Sequence, residues 1–389
     1  MQKIAFIVSH PIQYYAPLHR ALALRDDVAI KVFFTWHDGS QAQQDHGFGK
    51  SVAWDIPLTE GYEYESVPNT ARQPGTHHFM GLQNPALVQR VLAWQPDVVH
   101  LTGYAYSSHL RALYSFHWRG LPVLFRGDSH LLDGTGFGLR GMLKRALLST
   151  VYRWPAAFLC VGLANRAYYR HFGVPDSKLF DCPHSIETSR FAEPHNELEQ
   201  AARNWRRELR IKDDQKVVLF AGKFEDKKQP LPLMQAFLAC DLPDTLLLLV
   251  GDGLLGGQVQ DLADRYPARF RVLPFQNQSR MPLVYRLGDI LVLPSAYGET
   301  WGLAVNEAMA CGRPALVSDR VGCHPDVIRP GLNGDVFAVG DWAEFQRKLS
   351  LLLSDGWESK QKAIHQWAQN WAIQATAMTL VRAARQISL

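Results

Sequence analysis

Cysteine is scarce in this chain: its 389 residues include five. These are Cys160, Cys182, Cys240, Cys311 and Cys323, odd in number, scattered, and mostly inside apolar runs. That pattern excludes a disulfide framework and reads as reduced, buried thiols. No His, Cys or carboxylate cluster has the spacing of a metal site, and no Asp-x-Asp occurs. Long hydrophobic runs are missing as well. No uninterrupted apolar stretch is long enough for a spanning helix, and the run Ile4 to Val8 gives way to Ser9-His10 too soon for a signal peptide. The expectation is a soluble, cytoplasmic protein. A large charge excess is also lacking. Lys plus Arg number 41 and Asp plus Glu 37, a net +4, which suits phosphorylated ligands or an anionic membrane surface but is too weak to argue nucleic-acid binding. Low-complexity segments and short-period repeats are absent.

What is present is an ordinary globular composition, 47% hydrophobic and 20% charged, in a chain longer than the about 250–300 residues at which single cores stop growing. Two domains are expected. Short apolar runs at 3–8, 28–34, 98–101, 121–126 and 156–162 read as strands, with a helix near Pro17–Leu24. Residues 192–215 are polar and charged and read as an interdomain connection, partly helical. The pattern then restarts, with strands at 216–221, 245–250, 270–274, 289–293 and 315–318, a hairpin or strand at 334–339, and helices near 230–240 and 281–287. A further helical stretch covers 358–388. Strands alternating with helices predict doubly wound parallel sheets.

The most informative stretch is 289–314, DILVLPSAYGETWGLAVNEAMACGRP. A buried strand, Asp289 to Leu293, breaks at Pro294, and a helix begins near Trp301-Gly302 and stops at Gly312 and Pro314. The loop therefore falls at the carboxyl end of a parallel strand, where open α/β sheets bind ligands. Two carboxylates mark it, Glu299 in the loop and Glu307 on an almost wholly apolar helix. A carboxylate there needs a partner. Either Glu307 is half of a structural ion pair, or it accepts hydrogen bonds from a diol while Glu299 grips another hydroxylated group. In the second case the amides at the helix start face an anion such as a diphosphate.

Glu299-Thr300-Trp301-Gly302-Leu303, followed by Glu307-Ala308-Met309-Ala310-Cys311-Gly312-Arg313-Pro314, resembles the signature of the retaining glycosyltransferases of family 4 (glycosyltransferases group 1). Their pattern has Glu, any residue, an aromatic and Gly. A second Glu follows eight positions after the first, then Ala-Met-Ala-x-Gly-x-Pro. Thr300 stands where Gly is common. The resemblance implies an α/β GT-B fold of two Rossmann-like domains with a cleft between them. It assigns 1–195 to an acceptor-side domain, 196–370 to a nucleotide-sugar domain, and 371–389 to a helix returning to the first. It also places Glu307 on the donor ribose and Glu299 on the donor sugar, with Thr300, Trp301, Gly302 and Leu303 lining the donor site. Lys223 and Lys228, after Gly222, occupy the family's Arg and Lys positions at the diphosphate; lysine keeps the charge but loses the planar fork. Without the family, Lys223 to Lys228 reads as a solvated, charge-rich turn. Gln276 and Asn277 fall where the family touches the donor base, and backbone contacts there would read it.

In the first domain the family carries a His-Asp pair after the strand at 121–126. Here Asp128 matches the Asp and Gly127 falls on the His. Either His130 takes that role or it is an ordinary loop residue. His10, at the end of the first strand, faces the phosphate or acceptor side, although Ser9-His10-Pro11 replaces the Gly-rich loop of many relatives. Metal and cofactor are both expected to be absent, two lysines and a helix start neutralising the leaving diphosphate. The expected activity is retaining transfer of a sugar from a nucleotide diphosphate sugar to an acceptor hydroxyl, in bacterial polysaccharide or glycolipid assembly. The rival readings are a non-catalytic partner subunit that keeps the fold and a nucleotide-sugar epimerase. The basic, apolar run 139–154 reads either as peripheral contact with the inner membrane face, admitting a lipid-linked acceptor, or as an ordinary solvated amphipathic helix.

Overall fold

A computed structural model describes residues 1–37, 42–45, 50–134 and 139–388, with the side chains of 42–45, 50–52, 139 and 140 outside the description. Fifteen strands appear in it: β1 (Gln2–Val8), β2 (Val28–Phe34), β3 (Ala42–Asp45), β4 (Lys50–Ala53), β5 (Glu63–Ser66), β6 (Val98–Thr102), β7 (Val123–Arg126), β8 (Ala157–Cys160), β9 (Leu179–Asp181), β10 (Lys216–Ala221), β11 (Thr245–Val250), β12 (Phe270–Leu273), β13 (Ile290–Leu293), β14 (Ala315–Ser318) and β15 (Gly334–Phe337).

The chain forms two compact units. One comprises Met1–Gln41, Pro57–Ser185 and Ile373–Leu389, the other Ala42–Ile56 and Ile186–Ala372. The second unit thus begins at 186 rather than 196, and the polar stretch read as a connection is the helix His195–Glu208, a member of that unit. It also takes in the antiparallel β3–β4 hairpin, drawn from far earlier in the sequence.

The first unit is built on a seven-stranded sheet in the order β5-β2-β1-β6-β7-β8-β9, parallel throughout. Its strand residues alternate between two cores, as the two-residue period of a strand requires. Ile4, Phe6 and Val8 face one side with the C-terminal helix Ile373–Ile387, which contributes Leu380, Val381 and Ala384. Ala5 and Ile7 face the other with Leu113, Phe116 and Tyr169.

The second unit has a six-stranded sheet in the order β12-β11-β10-β13-β14-β15, again parallel. β11 is buried along its whole length, which suits a strand covered on both faces. The sheet order reverses between β10 and β13, so the loops leaving these two strands flank the switch point where such folds bind ligands. Among the described residues, no helix is long and apolar enough to cross a membrane.

Candidate functional site

In the second unit β13 runs into a loop and then the helix Leu303–Ala310. The loop is tied on both sides. The Ala296 amide donates to Lys227 O at 2.8 Å, the Gly322 amide to Glu299 O at 2.9 Å, and the Cys323 amide to Trp301 O at 2.9 Å. The Trp301 indole donates to Asn306 Oδ1 at 2.8 Å. Gly302 turns the chain into the helix at φ +96°, and a Cβ there would lie 2.7 Å from Val321 Cγ1. Only glycine satisfies both the left-handed backbone and the contact. The Thr300 carbonyl and Gly322 are pressed together as well, since a Cβ on Gly322 would meet that oxygen at 2.0 Å.

Glu299 and Lys228 form an ion pair, and both side chains are mostly buried, 14% and 17% exposed. The Ser295 hydroxyl donates to the same carboxylate oxygen at 3.0 Å. Glu307 is 2% exposed and accepts a hydrogen bond from the Tyr285 hydroxyl at 2.6 Å. Both carboxylates singled out in the sequence therefore have a specific partner, but neither partner is the other.

Lys223 is half-buried in the turn after β10. That turn packs closely on the end of β11, where a Cβ on Gly251 would lie 1.9 Å from Gly222 O. The Gly222 amide bonds Val250 O at 3.0 Å and the Phe224 amide bonds Asp252 O at 2.9 Å. Lys228 closes the short 3-10 turn Asp226–Lys228, and Gln229 in left-handed backbone starts the next helix.

Gln276 donates to Pro274 O at 3.0 Å. The side chain of Asn277 binds the hairpin segment: it donates to Ala53 O at 2.6 Å and accepts from the Asp55 amide at 3.3 Å. Ser279 adds an amide bond to Asp55 Oδ1 at 3.0 Å, and Trp54 meets Phe275 edge-on at 6.2 Å. These Asn277 contacts could not be anticipated, because their partner lies 224 positions away.

In the first unit, His10 follows β1 in a hydrogen bond with Ser9 Oγ at 2.9 Å, and burial, then the nearby His37, lowers its imidazole to about 4. Asp128 is exposed. His130 Nδ1 accepts from the Leu132 amide at 3.2 Å. At the position of the family histidine, Gly127 is clamped by Tyr169, whose hydroxyl accepts from the Gly127 amide at 2.9 Å and donates to its carbonyl at 3.0 Å. A Cβ at 127 would meet that hydroxyl at 3.1 Å, so a histidine would crowd it.

Several interacting residues gave no sequence signal. Arg126, the last residue of β7, is a buried cation that donates to Cys182 O at 2.8 Å and lies over the Tyr15 ring at 5.9 Å. Burial and this charge hold His184 neutral, well below the ordinary histidine range. In the second unit, Glu199 joins two buried arginines, Arg286 at 3.2 Å and Arg313 at 2.9 Å.

In the second unit, residues 201–371 fit the model of the glycosyl transferases group 1. This segment belongs to that family. The chain resembles the D-inositol 3-phosphate glycosyltransferase of Mycolicibacterium smegmatis, 37% identical over 141 residues, 34% of this chain and 32% of the relative. An uncharacterized glycosyltransferase of Methanocaldococcus jannaschii is 32% identical over 134 residues, 34% of each chain. The chain thus spans about a third of the length of the curated relatives it matches. The structural likeness is longer. A Rickettsia africae glycosyltransferase superposes with a TM-score of 0.75 at 12% identity, covering 99% of this chain and 98% of the other. The Anabaena protein Alr3699/HepE in complex with UDP gives 0.72 at 16%, covering 99% and 100%. Over its length the chain has the GT-B fold, and the group 1 segment is its second Rossmann-like domain.

Proposed function

We propose that the chain is a retaining, metal-independent glycosyltransferase that moves a sugar from a nucleotide diphosphate sugar to an acceptor hydroxyl. The observation that carries this reading is the ion pair of Lys228 with Glu299, which joins the loops leaving β10 and β13 at the sheet's switch point. Lys228 and Lys223 take the diphosphate together with the amides at Gly302-Leu303, and Glu299 takes the sugar hydroxyls. Lys228 and Glu299 bond each other, so an incoming diphosphate competes with the carboxylate for the ammonium and turns Glu299 toward the sugar. Glu307 receives the ribose diol. Charge growing on the leaving diphosphate is met by preorganised cations and amides, the kind of term that usually dominates such catalysis. The Anabaena neighbour's complex with UDP and the group 1 segment support the choice of donor. Calorimetric titration of UDP, GDP, dTDP and CDP in EDTA, into wild type and Glu307→Ala, tests it. One nucleotide should bind clearly more tightly than the rest and weaken on substitution; binding of none would sink the proposal.

The acceptor reading adds a membrane surface. In the first unit, Tyr114 of the helix Ser107–Trp118 meets Trp154 at 5.2 Å. Trp118, Met142, Leu143 and Leu147 lie exposed, with Lys144, Arg145 and Arg153 also exposed on the 139–154 segment. Exposed aromatics and aliphatics among cations suit an anionic lipid interface and a glycan or lipid-linked acceptor. Sedimentation with phosphatidylglycerol vesicles but not phosphatidylcholine vesicles, lost on Trp118→Ser with Leu143→Ser, is the expected result. Equal recovery from both lipids would remove this part. One observation favours a second reading, a non-catalytic partner subunit: Tyr169 holds Gly127 where the family has histidine. Turnover by the purified chain alone separates the two.

A further inference from the structure

The candidate donor carboxylate Glu307 is served by a residue that no motif contains. Tyr285 and Glu307 are each 2% exposed, and the phenol donates to the carboxylate at 2.6 Å, within the short range of charge-assisted O–H···O⁻ bonds. We infer that Tyr285 is a positioning residue for nucleotide recognition, fixing Glu307 in the rotation that accepts a ribose diol. The inference rests on the donor-site reading above.

The scaffold behind the pair is stiff. Tyr285 lies on the helix Met281–Leu287, and the next residue, Arg286, has a fully buried side chain paired with Glu199 at 3.2 Å. Arg286 also donates to Pro282 O at 3.0 Å and to Cys311 Sγ at 3.2 Å. Cys311 caps the C-terminal end of the helix that bears Glu307. Two neighbouring side chains of one helix thus grip the other at Glu307 and at its end, so the phenol reaches the carboxylate from a fixed direction. The ring of Phe191, 6.1 Å from that of Tyr285, packs beside it.

A buried carboxylate is costly when charged, and a donor aimed at it favours the charged form. A diol donates two hydrogen bonds, and an ionised carboxylate with its plane set accepts both. A phenol on one oxygen sets that plane. Removing the hydroxyl should therefore damage recognition of the ribose in particular, and the base and diphosphate contacts much less.

The test uses the full chain in EDTA and calorimetry. UDP, GDP and ADP are titrated into wild type, and the tightest is compared with its 2′,3′-dideoxy counterpart. Wild type should prefer the ribonucleotide. Tyr285→Phe should weaken the ribonucleotide about tenfold, the usual scale of one lost bond to a charged group, and leave the dideoxy form unchanged. A Tyr285→Phe chain that keeps the full ribose preference overturns the inference while the donor site stands. A wild type that binds nucleotides with no ribose preference, or a Glu307→Gln chain that binds as wild type does, refutes the Glu307 assignment itself. Tyr285→Met, smaller, flexible and without a hydroxyl, serves if the phenylalanine variant does not fold. Unfolding of both assigns Tyr285 to the core alone and also overturns the inference.

Discussion

The ammonium of Lys228 bonds the carboxylate of Glu299 across two loops separated by 71 positions in sequence. On the proposed donor-site reading, the pair makes opposite demands on a diphosphate. Lys228→Met should weaken binding of the preferred nucleoside diphosphate roughly ten- to a hundredfold, as the loss of a charge-assisted contact would. Glu299→Gln should strengthen it, because the competing carboxylate is gone. Calorimetry on the two variants decides the matter, and a change in the same direction for both would remove the competition argument.

Gly302 predicts a second asymmetry. It has left-handed backbone and a Cβ there would crowd Val321, whereas Gly340, also left-handed at φ +82°, has nothing within 4 Å. Gly302→Ala should cost about 1–3 kcal/mol more than Gly340→Ala, the scale of overpacking. Urea unfolding of both variants isolates the clash from the backbone term they share.

Glu199 is the anion between Arg286 and Arg313. Breaking a buried ion network leaves uncompensated charge, so Glu199→Ala should cost about 3–5 kcal/mol. Glu197→Ala, an exposed position of the same helix, should change stability by less than about 0.5 kcal/mol. Equal thermal shifts for the two would refute the role given to Glu199.

Acid should destabilise the first unit through its buried histidines. Burial lowers His19 to about 3 and His109 to about 4. A folded-state value below the unfolded one means that the unfolded chain binds more protons, so stability is full above about pH 6.5 and falls as pH drops toward the folded values. At pH 5 each of the two removes about 2 kcal/mol. Melting temperature measured from pH 7.5 to 5 should fall, and His109→Asn, if it folds, should flatten the slope.

The parts of the fold that were legible were those whose burial is written in consecutive residues. The β13 segment and its helix read correctly because a strand covered on both faces needs an unbroken apolar run. The edge strand β5, Glu-Tyr-Glu-Ser, carries no such run and went unseen, as did the polar β3–β4 hairpin. The helix His195–Glu208 reads in the sequence only as part of a partly helical connection because its outer face is charged. Its inner face buries only Ala202 fully, and Glu199 functions inward through arginines on other elements. At the site, Glu299, Lys228 and Glu307 were visible as residue types on a recognisable spacing. Tyr285, Ser295 and the Tyr169 clamp on Gly127 were not, because a hydrogen bond between distant segments leaves no period in the sequence. Asn277 shows the limit most directly: its position in the loop was readable, and its partners in the hairpin were not.

The backbone passes from one unit to the other four times, at 41/42, 56/57, 185/186 and 372/373. Exchange of halves between related proteins at the single middle boundary would therefore carry the wrong hairpin and the wrong closing helix into each product. The transplanted sheet would arrive without Leu380 and Val381 of its own core, and the 275–279 loop without its Ala53 and Asp55 partners. A chimera of this protein that keeps both units intact needs four matched seams.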